Sequence, residues 1–230
     1  PTVGGRSVCK SDLYPNAERN YHAVEFEVNK SFSNNWMLRS NFRYGHLVGN
    51  YEGAFRNDNS QSDPGISSLF DLTNGDLGLL NYQLGIGPLN TDRKYVLNVE
   101  PVYTIASGFA KNLTLSAAVN VLSGVPLTTL YAQQIYGNPG EVPVNGRGDL
   151  GFSPVTGTVD AHAEYPWKFG ESKQLKFEFD AFNLANTKRS ILSTEQADLS
   201  FGQLNQDFTN HIPLSFVAPF SARFGLMFTF

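Results

Sequence analysis

A histidine between two carboxylates is the arrangement in this chain that comes nearest to a site for a divalent cation. Asp160, His162 and Glu164 occupy alternate positions, so their side chains would share one face of a β-strand. Imidazole and carboxylate groups are common ligands of zinc and related metals. The other histidines are scattered along the chain. The alternative is a polar strand face in contact with water, and it is favoured because the water-facing residues of such a strand are polar in any case. The sequence therefore predicts no metal site.

Other motifs that could support binding or catalysis are incomplete. Gly85-Ile86-Gly87 lacks the third glycine and the following helix of a dinucleotide-binding loop. Residues 71–76 lack the alternating acidic ligands and the closing glutamate of a calcium loop. No serine or cysteine lies with a histidine and an acid in a recognisable nucleophile motif. Cys9 is the only cysteine, which excludes an internal disulfide and a cysteine-rich zinc site. The sequence predicts neither an enzyme nor a cofactor.

The composition narrows the class of protein further. The chain has 230 residues and a net charge of −4, and only 17% of its residues are charged. A soluble domain usually has about 25% charged residues. The acidic balance argues against a nucleic-acid partner, because proteins that bind nucleic acids are normally basic. No apolar run approaches the roughly 20 residues that a membrane-spanning helix needs.

Seven segments alternate between apolar and polar residues, which is the pattern of β-strands with one apolar face. Each has about ten to twelve residues, whereas strands of soluble proteins most often have about five to six and a strand that crosses a bilayer needs about nine to eleven. Long strands of this kind suit a wall between lipid and water. The predicted strands are 21–32, 36–47, 94–105, 113–122, 158–167, 175–184 and 221–230.

The connections between the predicted strands alternate strictly between short and long. Outer-membrane barrels have this pattern because tight periplasmic turns lie at one end and long extracellular loops at the other. The predicted fold is therefore all-β, a segment of an antiparallel transmembrane β-barrel with about seven strands, and the alternative is a soluble β-sandwich. The short connections are 33–35, 106–112 and 168–174, and the long ones are 48–93, 123–157 and 185–219.

Aromatic spacing and strand number extend this prediction. Trp36 and Tyr44 lie eight residues apart on one strand face, as do Tyr95 and Tyr103, and eight residues span about 26 Å along a strand. That distance fits an apolar band between two aromatic girdles. Periplasmic short turns would place residues 1–20 in an extracellular loop. Because single-chain bacterial barrels usually have an even number of strands, we expect residues 21–230 to be the C-terminal part of a larger barrel.

Charged and aromatic residues indicate where the barrel would meet solute. Asp160, Glu164, Glu178 and Asp180 make two neighbouring strands acidic on the water-facing side. This face is either a solvated wall in contact with a plug or a surface that prefers cationic substrates. Aromatic residues among amides in the long loops suit recognition of a bulky ligand, and the alternative is that they pin the loops together. The candidate ligand-facing residues are Tyr51, Phe55, Tyr82, Tyr131 and Tyr136.

Several short motifs occur along the chain in a fixed order. They are Gly49-Asn50-Tyr51-Glu52-Gly53, Asp63-Pro64-Gly65-Ile66-Ser67, Pro88-Leu89-Asn90-Thr91-Asp92-Arg93, Ser123-Gly124-Val125-Pro126, Arg147-Gly148-Asp149-Leu150-Gly151 and Phe182-Asn183-Leu184-Ala185-Asn186. In this order they resemble the C-terminal barrel portion of TonB-dependent outer-membrane receptors. The resemblance is closest to the Oar-like branch, which carries an upstream carboxypeptidase-regulatory-like domain. Ala185 departs from the family pattern, in which phenylalanine is common at that position.

The resemblance implies a receptor and transporter in the bacterial outer membrane, with about 22 strands and a plugged lumen. The implied partners are outer-membrane lipid, an unidentified solute, and TonB through an N-terminal region outside this chain. Phe230, with Phe228 behind it, resembles the terminal signal that the barrel assembly machinery reads. The chain would do no covalent chemistry. The alternative function is a non-transporting barrel, such as an adhesin or autotransporter-type anchor.

Overall fold

Seven long strands dominate the computed structural model, which describes residues 18–50, 86–132, 142–170 and 173–230 together with a short strand pair near the start, Thr2–Val3 and Arg6–Ser7. All seven predicted strands are confirmed, and their ends lie within two residues of the prediction. In chain order the long strands are β1 (Arg19–Ser33), β2 (Trp36–Gly49), β3 (Tyr95–Thr104), β4 (Thr114–Leu122), β5 (Thr156–Phe169), β6 (Lys173–Phe182) and β7 (Ser221–Thr229).

The long strands form one antiparallel meander, in which each pairs with the long strands before and after it in the chain. A two-residue strand, Gly87–Pro88, adds to the end of β2. In the described part of the chain the sheet is not closed, so β1 and β7 are its edges. The prediction of an antiparallel all-β fold is confirmed at this level.

The short connections contain left-handed residues in their described parts. Asn34 and Asn35, between β1 and β2, have φ of 51° and 66°, which is the backbone of the type I′ hairpin turn that asparagine favours. Gly108 (φ 83°) and Asn112 (φ 70°) serve the β3–β4 connection, and Gly170 (φ 75°) serves the β5–β6 connection. These three turns lie at one end of the sheet, which we call the turn end, and the long connections lie at the loop end.

Alternation along each strand gives the sheet an apolar and a polar face. Register keeps the faces continuous, because Cα partners point their side chains to the same side. On one face Val99 lies opposite both Ser40 and Val119, and on the other Glu25 lies opposite Arg43. The apolar face is not covered by any described element, and Phe26 keeps 62% of its surface exposed.

The buried core lies in the long connections instead of under the sheet. Leu89, Leu130 and Val142, all in connections, are among the most buried side chains. Short strands order these connections: Ser190–Ser193 pairs with Pro213–Phe216, and Asp198–Ser200 pairs with Gln203–Leu204. A single-turn helix, α1 (Gln206–Thr209), follows, and Asn205 Oδ1 caps it by accepting from Asp207 N at 3.0 Å.

Within the residues described here, no helix is both long enough and apolar enough to span a membrane.

Candidate functional site

The apolar face carries an aromatic row at each end. Trp36 is the Cα partner of Tyr103 at the turn end, and Tyr44 is the partner of Tyr95 toward the loop end. Aliphatic and phenylalanine side chains predominate in the strip between them, as in the pair Phe42–Leu97, and Ser40 is the polar exception on β2. A large exposed apolar area marks a surface that contacts something other than water. Aromatic rows that bound an apolar strip are typical of a strand wall in lipid.

A lysine on the apolar face supports the same interpretation. Lys30 Nζ lies 4.0 Å from the centroid of the Trp36 ring, and it donates to the carbonyl oxygens of Ser33 and Trp36, both at 2.9 Å. The amine is thus folded back onto the turn. Long basic side chains behave this way at apolar boundaries, because the stem covers apolar surface while the charge reaches polar groups.

The two candidate assembly residues lie in an aromatic ladder at the turn end. The Phe228 ring stacks between Phe169, at a centroid distance of 6.0 Å, and Phe230, at 5.7 Å. Trp167 continues the ladder at 5.7 Å from Phe169. Phe230 stays 88% exposed, so its ring is accessible to a partner. Recognition of this terminus by the assembly machinery stays a prediction.

One carboxylate on the polar face connects three strands. Asp180 of β6 has Oδ1 at 2.7 Å from His162 Nδ1 on β5 and Oδ2 at 2.9 Å from Arg223 Nε on β7. Asp180 is buried, although the Arg223 side chain is 71% exposed. These contacts make charge-assisted hydrogen bonds across the strand edges.

A second set of charges continues along the same face. Lys176 Nζ lies 2.6 Å from Glu178 Oε1 and 3.4 Å from Glu164 Oε2. His162 Nε2 is 3.8 Å from the same Glu164 oxygen, which joins the two sets. Three of the four carboxylates on the predicted acidic face therefore have cationic or imidazole neighbours. The fourth, Asp160, accepts from the backbone N–H of Asn183 at 2.7 Å.

Lys176 and Arg223, which make these contacts, were not expected as functional residues. The alternation of apolar and polar residues places each of them on the polar face of its strand. Only the register reveals the partners, because it places Arg223 opposite Asp180.

The Asp160, His162 and Glu164 set does not converge as metal ligands would. His162 turns to Asp180, and Asp160 turns to the Asn183 backbone. In the part of the chain that the structure describes, no group of three or more histidine, cysteine, aspartate or glutamate residues could hold a metal ion.

Buried polar contacts join the described parts of the long connections to the strand ends. We call this packed region, residues 86–94, 123–132, 142–155 and 183–220 with the adjoining strand ends, the loop collar. Asp92 accepts from the backbone N–H of Leu47 at 2.8 Å and lies 2.7 Å from His46 Nδ1. Asn50 and Glu18 bind reciprocally, since Glu18 N donates to Asn50 Oδ1 at 2.7 Å and Asn50 N donates to the Glu18 carbonyl at 3.0 Å. The loop end of β2 is therefore fixed on both sides.

Two further connections belong to the loop collar. The Glu195 carboxylate accepts from Thr128 N, and its carbonyl accepts from Leu130 N at 2.9 Å. Asp149 Oδ1 accepts from Thr129 N at 2.7 Å. Partial burial lowers the pKa of Arg93, whose Nη1 donates to the Ser123 carbonyl. Glu195 thus joins the β4–β5 and β6–β7 connections, and Asp149 stabilises the β4–β5 connection internally.

Of the five candidate ligand-facing residues, the structure places one. Tyr131 is half-buried and exchanges backbone hydrogen bonds with Val142 at 2.9 and 3.0 Å, as part of the loop collar. The other four, Tyr51, Phe55, Tyr82 and Tyr136, lie outside the described residues. Ligand contact by all five stays a prediction.

The TonB-dependent transporter Oar of Myxococcus xanthus is 29% identical to the chain over 256 aligned positions, which cover 94% of the chain. The chain is homologous to part of a TonB-dependent transporter. The homology to Oar confirms the resemblance carried by the short motifs. That relative is a transporter.

The aligned region covers 23% of Oar, so the chain spans about a quarter of that transporter's length. No protein-family model matches the chain, and no solved structure matches it.

Proposed function

We propose that this chain is the C-terminal part of the wall and outer loops of an outer-membrane barrel that takes up a solute with energy from TonB. The barrel would have about 22 strands and a plug in its lumen. Residues 1–20 would belong to an extracellular loop and residues 21–230 to the barrel. The chain would supply a lipid-compatible face, a hydrophilic face and a loop vestibule, and it would do no covalent chemistry.

The observation that carries this proposal is the difference between the two faces of one long-stranded sheet. The apolar face is uncovered and is bounded by the pairs Trp36–Tyr103 and Tyr44–Tyr95. The polar face holds charges in a paired network centred on Asp180. A sandwich of two sheets would need the apolar face to be packed against a second sheet, whereas lipid satisfies it directly.

The proposal assigns partners to separate regions. Lipid would contact the apolar face, and the plug would lie against the polar face. TonB would bind upstream of this chain, and the barrel assembly machinery would read Phe230 and Phe228. The solute, which is unidentified, would meet the long loops, where we expect Tyr51, Phe55, Tyr82, Tyr131 and Tyr136 to contribute.

Cysteine labelling tests the topology directly. In the full-length gene product with Cys9 replaced by serine, Phe201→Cys tests the loop end and Lys111→Cys tests the turn end; Phe201 and Lys111 are both exposed. A membrane-impermeant maleimide added to intact cells should label Phe201→Cys, and it should label Lys111→Cys only after the outer membrane is permeabilised. Labelling of Lys111→Cys alone on intact cells would reverse the orientation, and recovery of the protein in the soluble fraction would refute the barrel.

Growth experiments separate transport from the non-transporting alternative. Strains without this gene and strains without TonB should share a growth defect on the same scarce nutrient, because uptake would need both. Two findings together would favour the adhesin or anchor. The protein would reach the outer membrane without a TonB-dependent phenotype on any nutrient tested, and its gene would encode a repetitive passenger in place of a plug.

A further inference from the structure

A cavity of about 330 Å³ lies on the polar face at the loop end, where β4, β5 and β6 meet the segment that enters β7. Its volume is at the lower end of the range for small-molecule sites, which is about 300–1,000 Å³. Much of its wall is apolar and comes from Leu122, Phe182, Ile191, Val217 and Pro219. Such a wall suits the hydrocarbon part of a small organic ligand.

The cavity wall is held in place by one buried side chain. Asn183 Nδ2 donates to the Ala218 carbonyl at 2.7 Å and to the Thr187 carbonyl at 3.1 Å, while Oδ1 accepts from Thr187 N at 2.9 Å. Asn183 has φ of 48°, a left-handed conformation that asparagine tolerates better than most residues. The 217–219 segment is thereby tied to the end of β6, so the cavity is formed before a ligand arrives.

The cavity contains one charged group. Asp160 lines it, and its Oδ1 is occupied by the backbone N–H of Asn183 at 2.7 Å. Among the described residues, Oδ2 of Asp160 has no hydrogen-bond or ion-pair partner, and no lysine, arginine or histidine lines the cavity.

Two basic side chains on the same face bind a different carboxylate. Arg223 and His162 both contact Asp180, and among the described residues neither makes a hydrogen bond or ion pair with Asp160. A carboxylate beside apolar walls is stabilised most by a ligand that brings a positive charge and hydrogen-bond donors.

We propose that this cavity binds an ammonium or guanidinium group attached to a small apolar body, with the cation on Asp160 and the apolar body against Leu122, Phe182 and Val217. The solute, or the part of it that enters the barrel, would then be an organic cation. This inference rests on the proposed function, because it takes the polar face as the wall of the transport path.

The test uses the full-length receptor purified in detergent and two probes of matched shape. Isothermal titration calorimetry with phenethylammonium chloride should give saturable binding, and the neutral 2-phenylethanol should bind more weakly. Asp160→Asn keeps the size of the side chain and the acceptor for Asn183 N. It should weaken binding of the ammonium probe by about five- to tenfold and leave binding of the alcohol unchanged.

Glu164→Gln is the matched control, because it removes the same charge from the same face of β5 outside the cavity. It should change the affinity for the ammonium probe by less than about twofold, because Glu164 lies outside the cavity and pairs with Lys176 at 3.4 Å. Equal losses in both variants would overturn the proposal in favour of a general effect of the acidic face. Absence of saturable binding to the unmodified receptor would also overturn it.

A second variant keeps the test decisive if Asp160→Asn misfolds. Val217→Trp should fill the cavity and reduce binding of both probes while every charge remains, and unchanged binding would overturn the proposal. Folding is checked by the shift in electrophoretic mobility on heating. A receptor that is found in the outer membrane and supports TonB-dependent growth but binds no probe refutes only this inference. A receptor absent from the outer membrane refutes the proposed function.

Discussion

Arg223 on the last strand donates through Nε to Asp180 Oδ2 at 2.9 Å, and the other oxygen of that carboxylate lies 2.7 Å from His162 Nδ1. One aspartate therefore holds three consecutive strands together on the polar face. Neighbouring strands are joined mainly by backbone hydrogen bonds, which can form in more than one register. The side-chain bridge favours one register, because only that register places the three side chains side by side.

This bridge predicts a coupled response to mutation. Arg223→Met and Asp180→Asn should each lower the temperature at which the full-length receptor loses its heat-modifiable mobility by a few degrees. The double variant should lose less than the sum, because each single change leaves a partner without its charge. Lys168→Met, at an exposed lysine opposite Gln174 on the same face, should have little effect. Additive losses would show that the pair is not coupled.

Two adjacent residues distinguish the faces of the sheet. Val99 lies midway between Tyr95 and Tyr103 on the apolar face, and Asn98 points to the polar face. Val99→Arg should cost about 2–4 kcal/mol, because it places a charge near the middle of the band that the proposed function places in lipid, whereas Asn98→Arg should cost little. Unfolding in urea from lipid vesicles measures both. Equal tolerance of the two arginines would contradict a lipid-facing surface.

The buried carboxylate of Asp92 predicts a role in fixing the loop collar. Asp92→Ala should cost about 1–3 kcal/mol, because it leaves the backbone N–H of Leu47 and the ring of His46 without their partner. The variant should become more sensitive to protease added outside intact cells, as shown by immunoblotting. Thr91→Ala, at the exposed neighbour, should resemble the unmodified receptor. Unchanged protease resistance of Asp92→Ala would mean that other contacts hold the collar.

The terminal aromatic ladder predicts an effect on biogenesis. Phe230→Ala removes an exposed ring that stacks on Phe228, and it should reduce the amount of receptor in the outer membrane severalfold. Phe224→Ala removes an apolar-face ring from the same strand, away from the terminus, and should have a smaller effect on the amount. The measurement is an immunoblot of outer-membrane fractions. Equal losses in the two variants would indicate lost apolar surface instead of lost recognition.

Strands and faces could be predicted from the sequence because both follow from local alternation. Each strand needs only its own residues to define which side is apolar, and the Asn34–Asn35 turn carries its own conformational preference. The family resemblance also depended on short local motifs and is confirmed by the homology.

The contacts that build the loop collar and the cavity could not be predicted in the same way. Glu195 caps the backbone of Thr128 across 67 positions, and Asp92 reaches His46 across 46. Such partners depend on how the long connections fold over the strand ends, and alternation contains no information on this. The acidic face could be predicted from the sequence. The pairing of its carboxylates with Lys176 and Arg223 could be recognised only from the register of the strands.

The meander has a consequence for how this wall could evolve. Because every long strand pairs with its neighbours along the chain, a two-stranded unit duplicated or deleted between two turns would widen or narrow the wall without rerouting the polypeptide. An even increment also preserves which end each later connection occupies. Tandem copying of hairpins would therefore give sheets of different width from one ancestral gene.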